Sequence, residues 1–426
     1  MPALSKESIL KGGFPMDASI RAARLSTSEL MLLQERYGTN HYVPYPIAMA
    51  QGRNVYLWDL DKKKYLDMNA TYSAIAVGHN HPEMNQVLIR QLNKLTSVSN
   101  MFLNEHAPIL LMELCKLTGL DRAILMNTGA EAFETAVKAV RRWAYRKKGI
   151  PAGKAEIIVA TNNFHGRTIN AISASSEEKY RQDFGPFVPG FVLVPFGNSN
   201  ALAAAIKPET AAIIVEPIQG EGGVNVPSTD YMCEISELCA KYNMLLCFDE
   251  VQTGLGRTGK LFAFEHWLIE PDLVMLGKAL GGYVPISAVV GKDKVMSGFT
   301  PGSHGSTFGG NPLACAVALK SIELITRFDC ELVRNANETG GYLLRKLTKR
   351  LELNPKVLEI RGRGLLIGIA LDPEELSAAD ARTKLLQCGI VAGAASNNVL
   401  RLSPPLTFTK THVNLALPRI VCALTT

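Results

Sequence analysis

The sequence predicts an α/β protein: a large domain on a mostly parallel sheet covered by helices, plus a smaller α+β domain formed from the chain termini. Two observations carry this expectation. Short, continuously apolar β-type runs alternate with helical stretches through the middle of the chain, as strands buried on both faces do. From about Cys330 onward the pattern changes to helix, β pair, helix, β run and helix. The boundaries read as 1–70 for an N-terminal segment that joins the small domain, 71–329 for the large domain and 330–426 for the C-terminal small domain.

Taken in order, residues 1–35 are a polar start running into a helix. The stretch VYLWDLDKKKYLDM, residues 55–68, alternates around DKKK and suggests a hairpin. β-type runs follow at 123–126, 157–160, 213–215, 245–248, 273–276 and 286–290, with helical segments such as 131–145 and 231–242 between them. A helix over 331–351 then precedes EIRGRGLLIGIAL, and VLRLSPPL precedes the last helix.

Composition narrows the function classes. With 47% hydrophobic and 20% charged residues in 426, the balance is that of a globular protein, not a disordered one. A net charge of +6 is too small over this length to call for a nucleic-acid or anionic-membrane partner. No apolar run approaches the roughly 18–20 residues a membrane span needs. The eight cysteines are scattered without a C-x-x-C pair, which suggests buried free thiols in a reducing compartment. The start of the chain lacks a secretory apolar core and mixes Lys6, Lys11, Arg21 and Arg24 with Glu7, Asp17 and Glu29. That mixture favours a cytoplasmic location and leaves the mitochondrion open.

Five β-type runs end in chemically capable residues: NTGAE after Met126, TNNFHGRT after Ala160, EPIQGEGG after Val215, DEVQTGLGRTG after Phe248 and GKALGG after Leu276. Open α/β sheets bind ligands beyond the carboxyl ends of their strands. Asp249, at a buried strand end, needs a partner, which is either a salt bridge or helix cap, or a cationic ring nitrogen. Lys278 follows the apolar run DLVMLG. It is either a snorkelling surface lysine or one whose desolvated amine acts as a nucleophile, and its coincidence with Asp249 favours the second. Thr128 and Glu131 form a T-x-x-E capping box; in the same geometry Gly129 opens the first-turn N–H groups to a phosphate, with Glu131 pointing away.

Other features read as structural. The G-x-G-x-x-G match at 254–259 is separated from its strand by residues 249–252, so a turn is favoured over a dinucleotide site. His79 and His81 lack correctly spaced partners for a metal, and no metal site is expected. Phe133 and Trp143 are read as core, and Arg141, Arg142, Arg146, Lys147 and Lys148 as a solvated face.

With DEVQTGLGRTGK, LGKALGG and GSTFGGNPLAC in view, and a lysine 29 residues after Asp249, the sequence resembles the class III pyridoxal-phosphate-dependent aminotransferases of fold type I. The likeness runs from about Tyr37 to the last helix and is closest to the members that act on ornithine. It implies that Lys278 carries pyridoxal 5'-phosphate and later shuttles the proton, while Asp249 pairs with the ring nitrogen. Gln252 would bond the phenolic oxygen, Val251 and Phe164 would sandwich the ring, and Gly129 and Ala130 would hold the phosphate. Thr307 would reach the phosphate in the other subunit of a homodimer. Tyr42, Tyr72 and Arg167 would receive ornithine. Arg401 would bind the α-carboxylate of glutamate or 2-oxoglutarate, with Glu221 masking it when ornithine is present and Glu216 in a supporting role. The implied reaction moves the δ-amine of L-ornithine to 2-oxoglutarate by a ping-pong route, giving glutamate-5-semialdehyde and glutamate. Two departures, a one-residue shorter GKALGGYVPISA segment and His165 in place of a bulkier aromatic, keep acetylornithine and γ-aminobutyrate as alternative amine donors.

Overall fold

The structure is a computed structural model that describes residues 25–39 and 41–426. Most of the expected polar start, residues 1–24, lies outside the described residues. The backbone divides into two compact units: residues up to Gly52 with Leu57–Lys64, and Arg53–Tyr56 with Tyr65–Thr426.

In the first unit, a helix over Thr27–Tyr37 begins at Ser26, whose hydroxyl accepts the Glu29 N–H while the Glu29 carboxylate accepts the Ser26 N–H. Strands β1 (Met49–Arg53) and β2 (Tyr56–Asp59) follow. The expected DKKK turn is present: the Asp59 carboxylate accepts the Lys63 N–H at 2.8 Å, and Lys62 takes a left-handed φ of 66°.

Most of β3 (Lys64–Asp67) belongs to the second unit and runs parallel to β13 (Ile390–Val391). Its centre is a seven-stranded sheet of β4 (Arg122–Met126), β5 (Glu156–Ala160), β6 (Phe191–Val194), β7 (Thr210–Val215), β8 (Leu245–Asp249), β9 (Leu273–Leu276) and β10 (Ser287–Gly291), in the order β4-β10-β9-β8-β7-β5-β6. Every neighbour pair is parallel except those of β10, which is antiparallel to both β4 and β9. Every residue of β7, β8, β9 and β10 is buried, which explains why these strands read as unbroken apolar runs. The helix Gly129–Trp143 buries Ala132, Phe133, Ala136, Val137, Val140 and Trp143, an i, i+3/i+4 stripe.

Of the basic run on this helix and the turn after it, Arg146 and Lys147 are exposed as expected, whereas Arg141 and Arg142 are half-buried, and so is Lys148. Its ammonium caps the carbonyls of Thr210 and Tyr242 at 2.6 and 3.0 Å. The helix Pro312–Leu351 is interrupted at Arg327–Cys330, where Phe328, Asp329 and Cys330 take left-handed φ values. Beyond it an antiparallel sheet forms from β11 (Val357–Arg363), β12 (Leu366–Leu371), β15 (Val399–Leu402) and β14 (Gly393–Ala395), followed by the helix Lys410–Thr425. All eight cysteines are free, but only Cys239, Cys247 and Cys315 are buried, and Cys422 is exposed. Among the described residues, no helix is long and apolar enough to cross a membrane.

Candidate active site

All five polar strand ends meet at one cavity of about 180 Å³. β4 contributes Gly129 and Ala130, β5 contributes Phe164, His165 and Gly166, β7 contributes Glu216 and Glu221, β8 contributes Asp249, Val251 and Gln252, and β9 contributes Lys278. Parallel neighbours bring their carboxyl ends to one edge, so residues far apart in sequence share a wall.

Thr128 caps its helix as expected. Its hydroxyl accepts the Glu131 N–H at 3.2 Å, and the Glu131 carboxylate turns back to the N–H groups of Asn127 and Thr128, both at 2.8 Å. The acid thus points away from the cavity, and the helix start carries a positive partial charge toward it. A Cβ on Gly129 would lie 3.0 Å from Val251 Cγ1, and one on Gly166 would lie 2.8 Å from Ala130 Cβ, so only glycine leaves this edge open.

Asp249 is 5% exposed, and both its oxygens are engaged. Oδ2 lies 2.6 Å from His165 Nδ1, and Oδ1 accepts the Val251 N–H at 3.0 Å. Glu216 is buried between two loops, accepting N–H groups from Phe164 at 3.0 Å and Gly220 at 3.1 Å. Burial, reinforced by Asp249 and opposed by these two bonds, pushes its carboxyl up to about 7.

Lys278 sits in the connection between β9 and β10 with a φ of 41°. Desolvation pushes its amine down to about 8; Glu221, Asp249 and Glu216 act against the shift, and Arg401 adds to it.

Arg401 lies on β15, paired in register with Gly368 of β12 and Gly393 of β14. A Cβ on Gly393 would stand 3.4 Å from Arg401 Nε, so the small neighbour makes room for a buried guanidinium. Arg401 Nη1 donates to Glu221 Oε1, while its Nε and Nη2 have no partner. Burial works to raise the pKa of Glu221, but Arg401 and Lys278, with hydrogen bonds from Arg401 and Gln252, hold it below the usual carboxylate value. Gln252 donates to Glu221 at 3.2 Å and accepts from Arg401 at 3.4 Å. The ring of Tyr72 is centred 5.9 Å from the Arg401 guanidinium carbon.

Arg167, exposed beside Gly166, is stacked on Tyr180, its guanidinium carbon 3.6 Å from the ring centroid and 5.6 Å from that of Phe164. Thr307 is exposed and does not line the cavity. Tyr42 belongs to the first unit, where it is exposed beside His41. Sequence reasoning singled out neither the His165 contact to Asp249 nor Tyr180; His165 stood in the same strand-end loop as Phe164 and Arg167, whereas Tyr180 lies on the short helix Glu178–Arg181 and left no such signal.

The G-x-G-x-x-G segment proves to be a structural turn. Its Arg257 is fully buried, with Nη1 bonded to the carbonyls of Leu365 (3.1 Å) and Pro404 and Nη2 bonded to that of Ser73 (3.4 Å). His79 bonds Asp67 at 2.7 Å, and the His81 N–H donates to Tyr283.

The cavity therefore offers a carboxylate, a desolvated amine and the N–H end of a helix in one enclosure. Comparison with known proteins agrees with that chemistry. The family model described as Aminotransferase class-III matches residues 37–424. An ornithine aminotransferase from Geobacillus sp. (strain WCH70) is 45% identical over 395 residues, covering 92% of this chain and 98% of its own. A solved ornithine aminotransferase from Toxoplasma gondii, with partial occupancy of PLP at its active site, superposes with a TM-score of 0.93 at 39% identity, covering 97% of this chain and 98% of its own. An acetylornithine aminotransferase from Elizabethkingia anophelis gives 0.84 at 36% identity, covering 94% of this chain and 99% of its own. Pyridoxal phosphate, the cofactor of this class, fits the residues present: the glycine-opened helix start suits its phosphate, the clamped Asp249 its ring nitrogen and the Lys278 amine its aldehyde. Fold, cavity and overall similarity agree, and the chain belongs to the class III aminotransferases.

Proposed function

We propose that the chain is an ornithine δ-aminotransferase, moving the terminal amine of L-ornithine to 2-oxoglutarate in ping-pong fashion and yielding glutamate-5-semialdehyde and glutamate. The observation that carries this reading is the ion pair of Glu221 with fully buried Arg401 at the cavity, alongside a second guanidinium, Arg167, stacked on Tyr180. Ornithine presents an amine remote from its carboxylate, whereas glutamate presents one beside it. A fixed arginine near the amine would favour glutamate in both half-reactions. A carboxylate that masks Arg401 removes that bias when ornithine binds. The name of the Geobacillus relative supports the same donor.

When bound, pyridoxal phosphate supplies an aldehyde that exchanges among amines and a ring that spreads the charge left by proton removal. Lys278 Nζ takes the proton from the δ-carbon and returns it, an exchange suited to an amine held near 8. Asp249 would face the ring nitrogen. Gly129 and Ala130 would hold the phosphate with backbone N–H groups, Phe164 and Val251 would flank the ring, and Gln252 would serve the phenolic oxygen. Arg167 receives the α-carboxylate of ornithine, and Arg401 receives that of glutamate once Glu221 has withdrawn. Tyr72 is assigned to the substrate by its place beside Arg401, and Tyr42 by the resemblance alone.

A second copy of the chain completes the site in this reading. Met101, Phe102 and Leu103 are 85%, 65% and 90% exposed, and Asn100 ties their segment to the loop of Thr307 by a 2.9 Å bond to the Ser306 carbonyl. Such an apolar surface beside Thr307 suits a homodimer in which Thr307 reaches the partner's cofactor. Residues 71–329 act as the cofactor-binding domain and 330–426 as the small domain, joined at the break in the helix Pro312–Leu351. The reduced thiols fit a cytoplasmic setting.

The test is a set of half-reaction spectra of the purified protein with ornithine, acetylornithine and γ-aminobutyrate. Fastest conversion by ornithine supports the reading. Faster conversion by either of the others overturns the donor while leaving the class in place.

A further inference from the structure

His165 is buried between Asp249 and Phe133. Its ring lies flat on that of Phe133, centroids 4.6 Å apart and planes 4° from parallel, and Phe133 is itself fully buried on the helix whose start faces the cavity. The stack fixes the imidazole plane, and Nδ1 is thereby aimed at Asp249 Oδ2, 2.6 Å away. With Oδ1 held by the Val251 N–H, the carboxylate cannot rotate without losing a bond on one side. The other ring nitrogen, Nε2, is buried with no partner. An imidazolium would place a charged, unaccepted N–H there, which is far more costly than a bare ring nitrogen. An ionised carboxylate can only accept, so the single proton belongs on Nδ1.

We propose that His165 is the positioning residue for Asp249: a neutral imidazole whose Nδ1–H donates to Oδ2 and keeps the carboxylate turned toward the ring nitrogen of the cofactor. This rests on the reading of Asp249 as the partner of that nitrogen. Glu216 lies close enough to Asp249 for their charges to interact, and burial favours its neutral form, which spares Asp249 a second negative neighbour.

Two measurements on the full chain test the proposal. Nitrogen-15 NMR of histidine-labelled protein, with and without pyridoxal phosphate, should show His165 as the Nδ1–H tautomer with a bare Nε2. A protonated Nε2, in the neutral or charged ring, overturns it. The second measurement is the dissociation constant of pyridoxal phosphate. His165→Phe keeps the stack and the volume but removes the donor, and should weaken binding on the order of ten- to a hundredfold. His165→Asn restores an N–H and should bind within a few-fold of the unaltered protein. Unchanged binding in the Phe variant, or an Asn variant as weak as the Phe variant, overturns the positioning role. Half-reactions of the unaltered protein test the aminotransferase reading separately, because neither the tautomer nor the binding comparison depends on turnover.

Discussion

The Glu221 carboxylate accepts from Arg401 Nη1 and also feels the charge of Lys278, so one acid offsets two cations at the cavity. Withdrawing it unmasks Arg401 for an α-carboxylate. Glu221→Ala should therefore raise the ratio of kcat/KM for glutamate over that for ornithine on the order of tenfold or more, the scale of one charge-assisted pair. Paired half-reaction kinetics read this ratio, and an unchanged value would count against the masking role.

Tyr180 holds the other guanidinium. Stacking at 3.6 Å is worth roughly 0.5–2 kcal/mol, so Tyr180→Leu should raise KM for ornithine about two- to thirtyfold and leave KM for glutamate nearly unchanged. Equal losses for both substrates would show that the ring supports the site generally and not Arg167.

The Lys278 amine is protonated below about 8 and free above it. Capture of pyridoxal phosphate by cofactor-free protein should accelerate as pH rises through that region, then level off, and Lys278→Ala should lose covalent capture and nearly all turnover. Stopped-flow absorbance across pH 7–9 measures it. A flat profile would place the reactive amine elsewhere.

Glu250 concerns stability, not turnover. It is fully buried, its carboxyl pushed up to about 8 by desolvation, and it bonds Thr253 Oγ1 and the Phe264 N–H. A carboxyl raised in the folded state contributes most when the unfolded chain is also protonated, below about 4.5, and that contribution fades as pH climbs toward about 8. Glu250→Gln keeps both bonds without the titration, so its Tm should fall less than that of the unaltered protein between pH 6 and 9. Parallel thermal melts with identical slopes would refute this.

The strands around the cavity were legible because strands buried on both faces leave unbroken apolar runs, and their polar ends stood out against them. Direction was not legible: β10 is as apolar as its parallel neighbours, so nothing in its composition reveals that it runs the other way. The edge strand β6, four residues among prolines and glycines, carried too little pattern to be read. Within the site, Lys278, Asp249 and the Thr128 cap were readable from local spacing. The pairing of Arg401 with Glu221 was reached through the family resemblance and that of His165 with Asp249 not at all: they join residues 180 and 84 positions apart, and one chain's order holds no geometric signal of that kind.

The reversed course of β10 has a mechanical consequence. Lys278 rides on a hairpin link between two hydrogen-bonded strands and not on a crossover to a mobile helix, and Ser287, at the far end of that link, is bolted to the Thr128 carbonyl. The amine thus stands on a fixed post, and any opening or closing that turnover requires falls to the walls around it.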